Sequence, residues 1–291
     1  MSNLDLASLA ATDRLLFSIG LRPVQGHRFQ PTGFPGLGGA AYRSGAGQSV
    51  LVESAQSMAN RLETVIWDVA ANAPTGPLAG ISHVTVNRKG ACLTDSMLEA
   101  HRLNSPYILN GKDKSFFDRL KKELVELEEG PIDRQRLASV VLRYDVNSLI
   151  HGVFFSDKKL AGGRLRVPRA LSAFIEADAV AIAASGGVKN DHVNPSGVTK
   201  AGFGNVLFAR DEYTAERITL YVNLDVAQLR AYRLGDDVTR MLLLLALYKV
   251  RALLDGALRL RGAGQRQRSM TFSAKPRSAS IFGCSGPSGI V

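Results

Sequence analysis

A chain of 291 residues, 45% of them hydrophobic, can bury one large core or two small ones. Its formal net charge of +10 favours a polyanionic partner, either nucleic acid or an anionic membrane surface, although a merely basic soluble enzyme carries the same balance. Two cysteines, Cys92 and Cys284, stand far apart in no ligand spacing, which argues against a disulfide framework or a zinc site and fits a reducing cytoplasm.

The N-terminus carries Asp5 and Asp13 and no basic region, unlike a signal peptide. Residues 13–24 predict a first strand, with Leu15, Phe17, Ile19 and Leu21 alternating. The Gly- and Pro-rich stretch 24–47 predicts a loop, and 49–52 is short and apolar. Residues 53–69 predict a helix, because Ala55, Met58, Ala59, Leu62, Val65 and Ile66 share a face. Residues 72–80 form a Pro/Gly linker, and Val84 and Val86 suggest a strand ending at Lys89-Gly90. Helices are expected at 94–103, capped by Thr94 or Asp95, at 114–128, and at 133–142, capped by Asp133.

Residues 147–155 predict a buried strand, and Pro168 predicts a helix through Glu176 from its favoured first position. A short strand at 179–184 leads into a long glycine-rich excursion, 185–208, read as a hairpin leaving a folded body. Residues 216–224 alternate as a strand, and 236–260 is the longest helix. Its apolar run 241–247 is too short to span a bilayer, so no membrane partner is expected. The order predicts an α+β fold, a ferredoxin-like β-α-β core with insertions, over 13–260. The tail 261–291, basic and rich in Gly and Ser, is expected to be disordered, either as a basic arm or as a terminus without a role.

Donors dominate the excursion: Lys189, Asn190, His192, Asn194, Lys200 and Asn205, with the aromatic Phe203 near its end. Donors to phosphate beside an aromatic face suit single-stranded nucleic acid, though a solvated loop has the same composition. Basic residues cluster at His27-Arg28, at Lys112 and Lys114, and at Arg164, Arg166 and Arg169. Arg164 and Arg166 are expected on one side of an extended stretch, with Arg169 opening a helix where N–H groups favour an anion. Together these clusters predict a phosphate-tracking surface. The run Gly36-Leu37-Gly38-Gly39-Ala40-Ala41 matches G-x-G-x-x-A, but Pro31 and Pro35 precede it and Tyr42-Arg43-Ser44-Gly45 follows. It therefore lacks the required strand before and helix after, and no cofactor is expected. The five histidines, His27, His83, His101, His151 and His192, show no metal spacing.

VQGHRFQPTGFP, LVESAQSMANRLE, LEAHRLNSPYI, GKDKSFFDRL, NSLIHGVFF, LAGGRLRVPRALSAFIEA, SGGVKNDHVNPSG, GFGNV and TAERITLYVNL resemble the type I-U (I-G) CRISPR-associated RAMP backbone protein, from about Leu15 to about Leu260. The resemblance implies an RRM-like palm with helical insertions and a protruding glycine-rich hairpin. It implies a subunit that binds crRNA, polymerises along it with other copies of itself into a helical filament, joins other CRISPR effector subunits in a Cascade-like complex and recognises target DNA through the guide. It matches the excursion to the thumb that kinks the guide. It also places the polar end of the helix from Ser54 to Arg61, with Ser57, near guide phosphate, and extends the first loop's contacts from His27 and Arg28 to Gln30. Related RNA-targeting effectors carry a catalytic aspartate in that loop; here residues 30–47 hold no Asp or Glu, so cleavage of a target RNA is not expected. The rival is a RAMP-type endoribonuclease using His27 or His192 on guide precursor, and fold alone does not separate the two.

Overall fold

The computed structural model describes residues 12–23, 25–34, 38–45, 47–256, 258–260, 270–274 and 282–283. The chain opens with β1 (Arg14–Pro23), β2 (Gly33–Phe34), β3 (Gly38–Ser44) and β4 (Gly47–Glu53), followed by helix α1 (Ala55–Thr64). An insertion follows, containing β5 (Trp67–Asp68), β6 (Ala73–Pro74), β7 (Thr85–Arg88), β8 (Ala91–Asp95), α2 (Pro106–Leu109), α3 (Ser115–Leu124), α4 (Arg134–Tyr144), α5 (Val146–His151), β9 (Val153–Phe154) and β10 (Arg166–Val167). The chain returns through β11 (Leu171–Asp178), β12 (Ala181–Lys189), β13 (Val206–Thr214) and β14 (Arg217–Asp225). Then come α6 (Val226–Ala231), α7 (Asp236–Asp255), β15 (Leu258–Leu260), β16 (Met270–Ala274) and β17 (Phe282–Gly283).

The main sheet runs β15-β16-β1-β14-β11-β4-β3-β2, with β17 also paired to β1, and every pairing is antiparallel. Its register explains its core. Leu171, Leu224 and Leu15 lie side by side, as do Ile175, Leu220 and Ile19, and Ala177, Ile218 and Leu21. Because side chains alternate across a sheet, these rows share one face. Against that face lie α1 and α7, where Met58, Leu62, Leu242 and Ala246 are fully buried. Met58, Leu62 and Leu242 each contribute about 1.5–3 kcal/mol relative to exposure. The opposite face carries the half-buried Phe174 and Tyr221, stacked with ring centroids 5.2 Å apart, flanked along the same two strands by the pairs Ser172–Asn223 and Glu176–Thr219, of which Thr219 is buried.

The first strand, the helix capped by Asp133, the hairpin and the strand after it lie where the sequence pattern puts them. Other elements differ. The stretch expected as loop contains β2 and β3, with Ala40 to Ser44 of β3 paired to β4. The helix expected over 53–69 ends at Thr64, and the last one ends at Asp255, before Gly256. Residues 94–103 are not a helix. Asp95 ends β8 and is fully buried, where it accepts from Thr85 Oγ1 and the Met97 N–H and faces His83 Nδ1 at 2.7 Å. The stretch expected as a strand from Asn147 is helix α5, because the Asp145 carboxylate caps its first turn and Gly152, at φ 83°, closes it. Pro168 opens no helix; β11 follows, with side chains alternating buried and half-buried. Of the tail expected to be disordered, β16 and β17 pair with β1, and its remaining residues lie outside the described ones.

Candidate functional site

Strands β12 and β13 continue the β11–β14 pair beyond the sheet as a separate two-stranded hairpin, paired from Ala181↔Thr214 to Lys189↔Val206. Its root is held from the first glycine-rich loop: Phe29 is fully buried and exchanges both backbone hydrogen bonds with Tyr213, at 2.9 and 2.8 Å. The tip is organised by Asp191. Its carboxylate accepts from the N–H groups of Val193 (2.9 Å), Asn194 (3.0 Å) and Gly204 (2.9 Å). These bonds hold the Asp191 carboxyl below the usual carboxylate range. Gly204 needs to be glycine, since its φ is +79° and an added Cβ would lie 2.3 Å from the Gly197 carbonyl oxygen. Lys189, Asn190, His192, Asn194 and Phe203 are all exposed along this hairpin. So are Val193 (95% exposed) and Leu207 (79%), apolar surface that the chain by itself leaves in water.

A second feature is a cavity of about 900 Å³ between α2, the segment around His101, and β9–β10. Arg102, Arg166, Arg169, His101 and His151 line it. Behind it lies a buried polar network. The Arg102 guanidinium donates to both Glu63 oxygens and, at 3.1 Å, to the Gly152 carbonyl. Asn147 Nδ2 donates to Glu63 Oε1 at 2.7 Å, and Lys249 Nζ bonds Asn147 Oδ1 and lies 3.0 Å from His151 Nε2. Burial, with the nearby Lys249, Arg102 and Arg169 charges, pushes His151 well below its usual value, so its ring is neutral. Burial also pushes Lys249 down to about 7 and Asp145 up to about 6. Arg169 is lowered by burial and then by the Arg102 charge, and its Nη1 donates to the Ala55 carbonyl at 3.2 Å.

The sequence-predicted basic residues therefore part company. Arg166 and Arg169 meet at the cavity, and Arg166 lies over the Phe154 ring at 4.9 Å. Arg164 turns elsewhere and donates to the Leu127 carbonyl, and Arg169 precedes a strand instead of opening a helix. Arg61 pairs with the buried Glu53 at 2.7 Å, so its charge faces a carboxylate of its own chain. Ser54 caps α1 by accepting from the Ser57 N–H. Lys114 lies over Phe117 and donates to the Leu109 carbonyl, while neighbouring Lys112 is exposed. His27 and Arg28 are exposed beside the hairpin root, Arg28 at 3.8 Å from Glu212, and Gln30 is half-buried after Phe29. Sequence reasoning missed Asp191, Arg102, Phe174 and Tyr221. Of these only Tyr221 left a signal, the period-two alternation of its strand. Among the described residues no group of three or more His, Cys, Asp or Glu could hold a metal ion, and no helix is long and apolar enough to cross a membrane.

A family model described as "CRISPR-associated protein GSU0053" matches residues 15–182, more than half of the 291. The chain belongs to the CRISPR-associated protein GSU0053 family. The matched region takes in β1, α1, the insertion with its cavity, and β11, and stops at the start of the hairpin. Comparison with curated proteins gave no match. Among solved structures, the chain is similar at 13% identity and TM-score 0.45 to one in a "CRISPR RNA-guided surveillance complex, pre-nicking", covering 89% of this chain and 76% of that one. It is similar at 8% identity and TM-score 0.36 to Csc2 of Thermofilum pendens, covering 94% and 69%.

Proposed function

We propose that this family member is a non-catalytic, crRNA-binding RAMP backbone subunit of a type I-U (I-G) CRISPR effector, polymerising along the guide for target DNA recognition with the other effector subunits. Membership of a CRISPR-associated family supports the setting. Leaving aside the inserted strands, the order β1-α1-β11-β14-α7-β16, paired as β16-β1-β14-β11, supports an RRM-like, ferredoxin-like palm, since it is the βαββαβ arrangement with its first and third strands central and its fourth and second flanking them. The observation that carries the reading is the hairpin. It projects from the central strands, exposes apolar side chains that only a neighbouring molecule would cover, and surrounds them with hydrogen-bond donors.

Incubation of the purified chain with labelled repeat RNA, without metal, tests the proposal. Several copies should bind one RNA and leave it intact, and micrographs of chain co-expressed with a guide should show filaments. Cleavage at a defined position, lost in His27→Ala or His192→Ala while binding persists, would establish the endoribonuclease instead.

A further inference from the structure

We infer that the cavity lined by Arg166, Arg169, His101 and His151 is a phosphate-ester site, taking one nucleotide unit through its phosphate. Where that phosphate is a backbone phosphodiester of bound RNA, the inference rests on the guide-binding reading; a free nucleotide offers the same chemistry.

The wall supplies donors with little to accept from them. His151 is 2% exposed, and its Nε2 lies 3.0 Å from Lys249 Nζ, which in its charged form has only protons to offer. The neutral ring is therefore assigned the tautomer with its proton on Nδ1. Among the described residues that Nδ1–H has no hydrogen-bond partner. A buried donor left unmade is costly, and His151 forms part of the cavity wall, so an anion held against that wall would bring acceptor oxygens to the side of the ring. Arg169 has one of its five N–H groups on the Ala55 carbonyl. Arg166 is engaged, among the described residues, only through its stacking on Phe154, with its guanidinium edge left for a ligand. Arg102 is bound up with Glu63 and Gly152 and contributes its field more than its donors.

Charge points the same way. Beyond burial, which is the larger cause, Arg169 is lowered by the Arg102 charge against an opposing contribution from Glu63, and His151 by Lys249, Arg102 and Arg169, so neighbouring cations add to the positive potential at this wall. One carboxylate, Asp157, lies on the lining, and it accepts from the Lys159 N–H. Gly152 keeps the wall thin: at φ +83°, an added Cβ would lie 2.8 Å from the Val167 carbonyl oxygen. At about 900 Å³ the cavity holds a sugar and base beside the phosphate.

The test is histidine-selective ¹⁵N NMR of the full chain during titration with a short oligouridylate, uridine 5′-monophosphate or inorganic phosphate, with oligouridylate binding followed in parallel by fluorescence anisotropy. The expected result is a shift of the His151 and His101 ring signals on saturation. Arg166→Gln, at an exposed position, should weaken the same probe about tenfold without changing the thermal midpoint. A shift with oligouridylate alone assigns the phosphate to the RNA chain. An equal shift with the monophosphate assigns it to a free nucleotide. Oligouridylate binding with unmoved histidine signals for all three probes overturns the site and leaves guide binding intact. A monophosphate shift without any oligouridylate binding keeps the site and overturns guide binding. Neither shift nor binding overturns both.

Discussion

The Arg102 guanidinium closes on the Glu63 carboxylate through two bonds, Nε to Oε1 at 2.6 Å and Nη2 to Oε2 at 2.9 Å. Both side chains are buried, and the pair joins α1, which packs on the main sheet, to the insertion. An Arg fork matched to a carboxylate is the strong form of such a bond, and breaking it strands one charge away from water. Arg102→Met should therefore lower unfolding stability by about 3–5 kcal/mol in urea titrations. Glu63→Gln combined with Arg102→Met removes both charges and should cost less than Arg102→Met alone. The reverse order would show that the pair is not what holds the insertion.

Lys249 makes stability depend on pH. Burial lowers it to about 7, partly offset by the Glu63 and Asp145 charges, against about 10.4 in an unfolded chain. Between those values the unfolded chain binds the extra proton, so stability rises as pH rises, with a limiting slope of about 1.4 kcal/mol per pH unit. Asp145 acts in the other window. Its value, raised to about 6, makes the folded state bind the extra proton below that pH, so stability falls as pH climbs from about 4 toward 6. Chemical unfolding across pH 7 to 10 should show the rise, and Lys249→Met should flatten it. An unchanged slope in that variant would place its origin elsewhere.

These buried partners could not be read from the chain. Glu63 meets Asn147 and Lys249 meets Asn147 across long separations, and no local period marks a polar residue that a distant helix will neutralise. What local pattern does carry is visible in β1 and β14, whose alternation reflects one buried face. It failed at β11, where Pro168 is a helix opener by preference and Ala173, Ala177 and Leu171 suit a helix as well as a strand. Tertiary pairing with β14 and β4 decided the outcome. At α5 the apolar run was short enough to serve either element, and the decisive cap, Asp145, lies just outside it. The candidate site was half legible for the same reason. Arg166 and Arg169 stood out by composition, whereas Arg102 and His151 join them only through folding.

Asp191 gives the hairpin tip its shape, and its effect should be local. Asp191→Ala removes the acceptor shared by the Val193, Asn194 and Gly204 amides. Hydrogen exchange at those amides should accelerate while the global unfolding midpoint stays in place. Because the folded value of this carboxyl is depressed, its ordering effect is present above about pH 3.9 and is lost as pH falls through the folded value. Slow exchange at all three amides in the variant would mean that the glycine-rich backbone holds the tip without it.

Arg61 and Arg166 should respond differently to removal, although the sequence reading places both against RNA. Arg61→Ala strands the buried Glu53 and should reduce stability first. Arg166→Ala, at an exposed position, should leave stability unchanged and weaken RNA binding alike for every spacer sequence, because interactions with the RNA backbone carry no sequence information. The slope of log K against log [salt] should become shallower by about 0.7 for each single-strand phosphate that the variant no longer neutralises. Weakening confined to one spacer would indicate base reading at this position.

The hairpin itself can be shortened without disturbing the main sheet, because its last strand pair is Lys189↔Val206 and everything beyond is tip. Replacing residues 190–205 with Asn-Gly supplies the two-residue turn that antiparallel strands favour and keeps that pair in register. The buried root, Phe29 against Tyr213, is untouched, so the thermal midpoint should hold. If repeated subunits set a fixed interval along the guide by pressing these tips against it, the shortened chain should still bind RNA through its palm. It should, however, lose the regular ladder of fragments protected from nuclease. An unchanged ladder from the shortened protein would assign the interval to the palms packing on one another, and leave the tip as a surface for some other subunit.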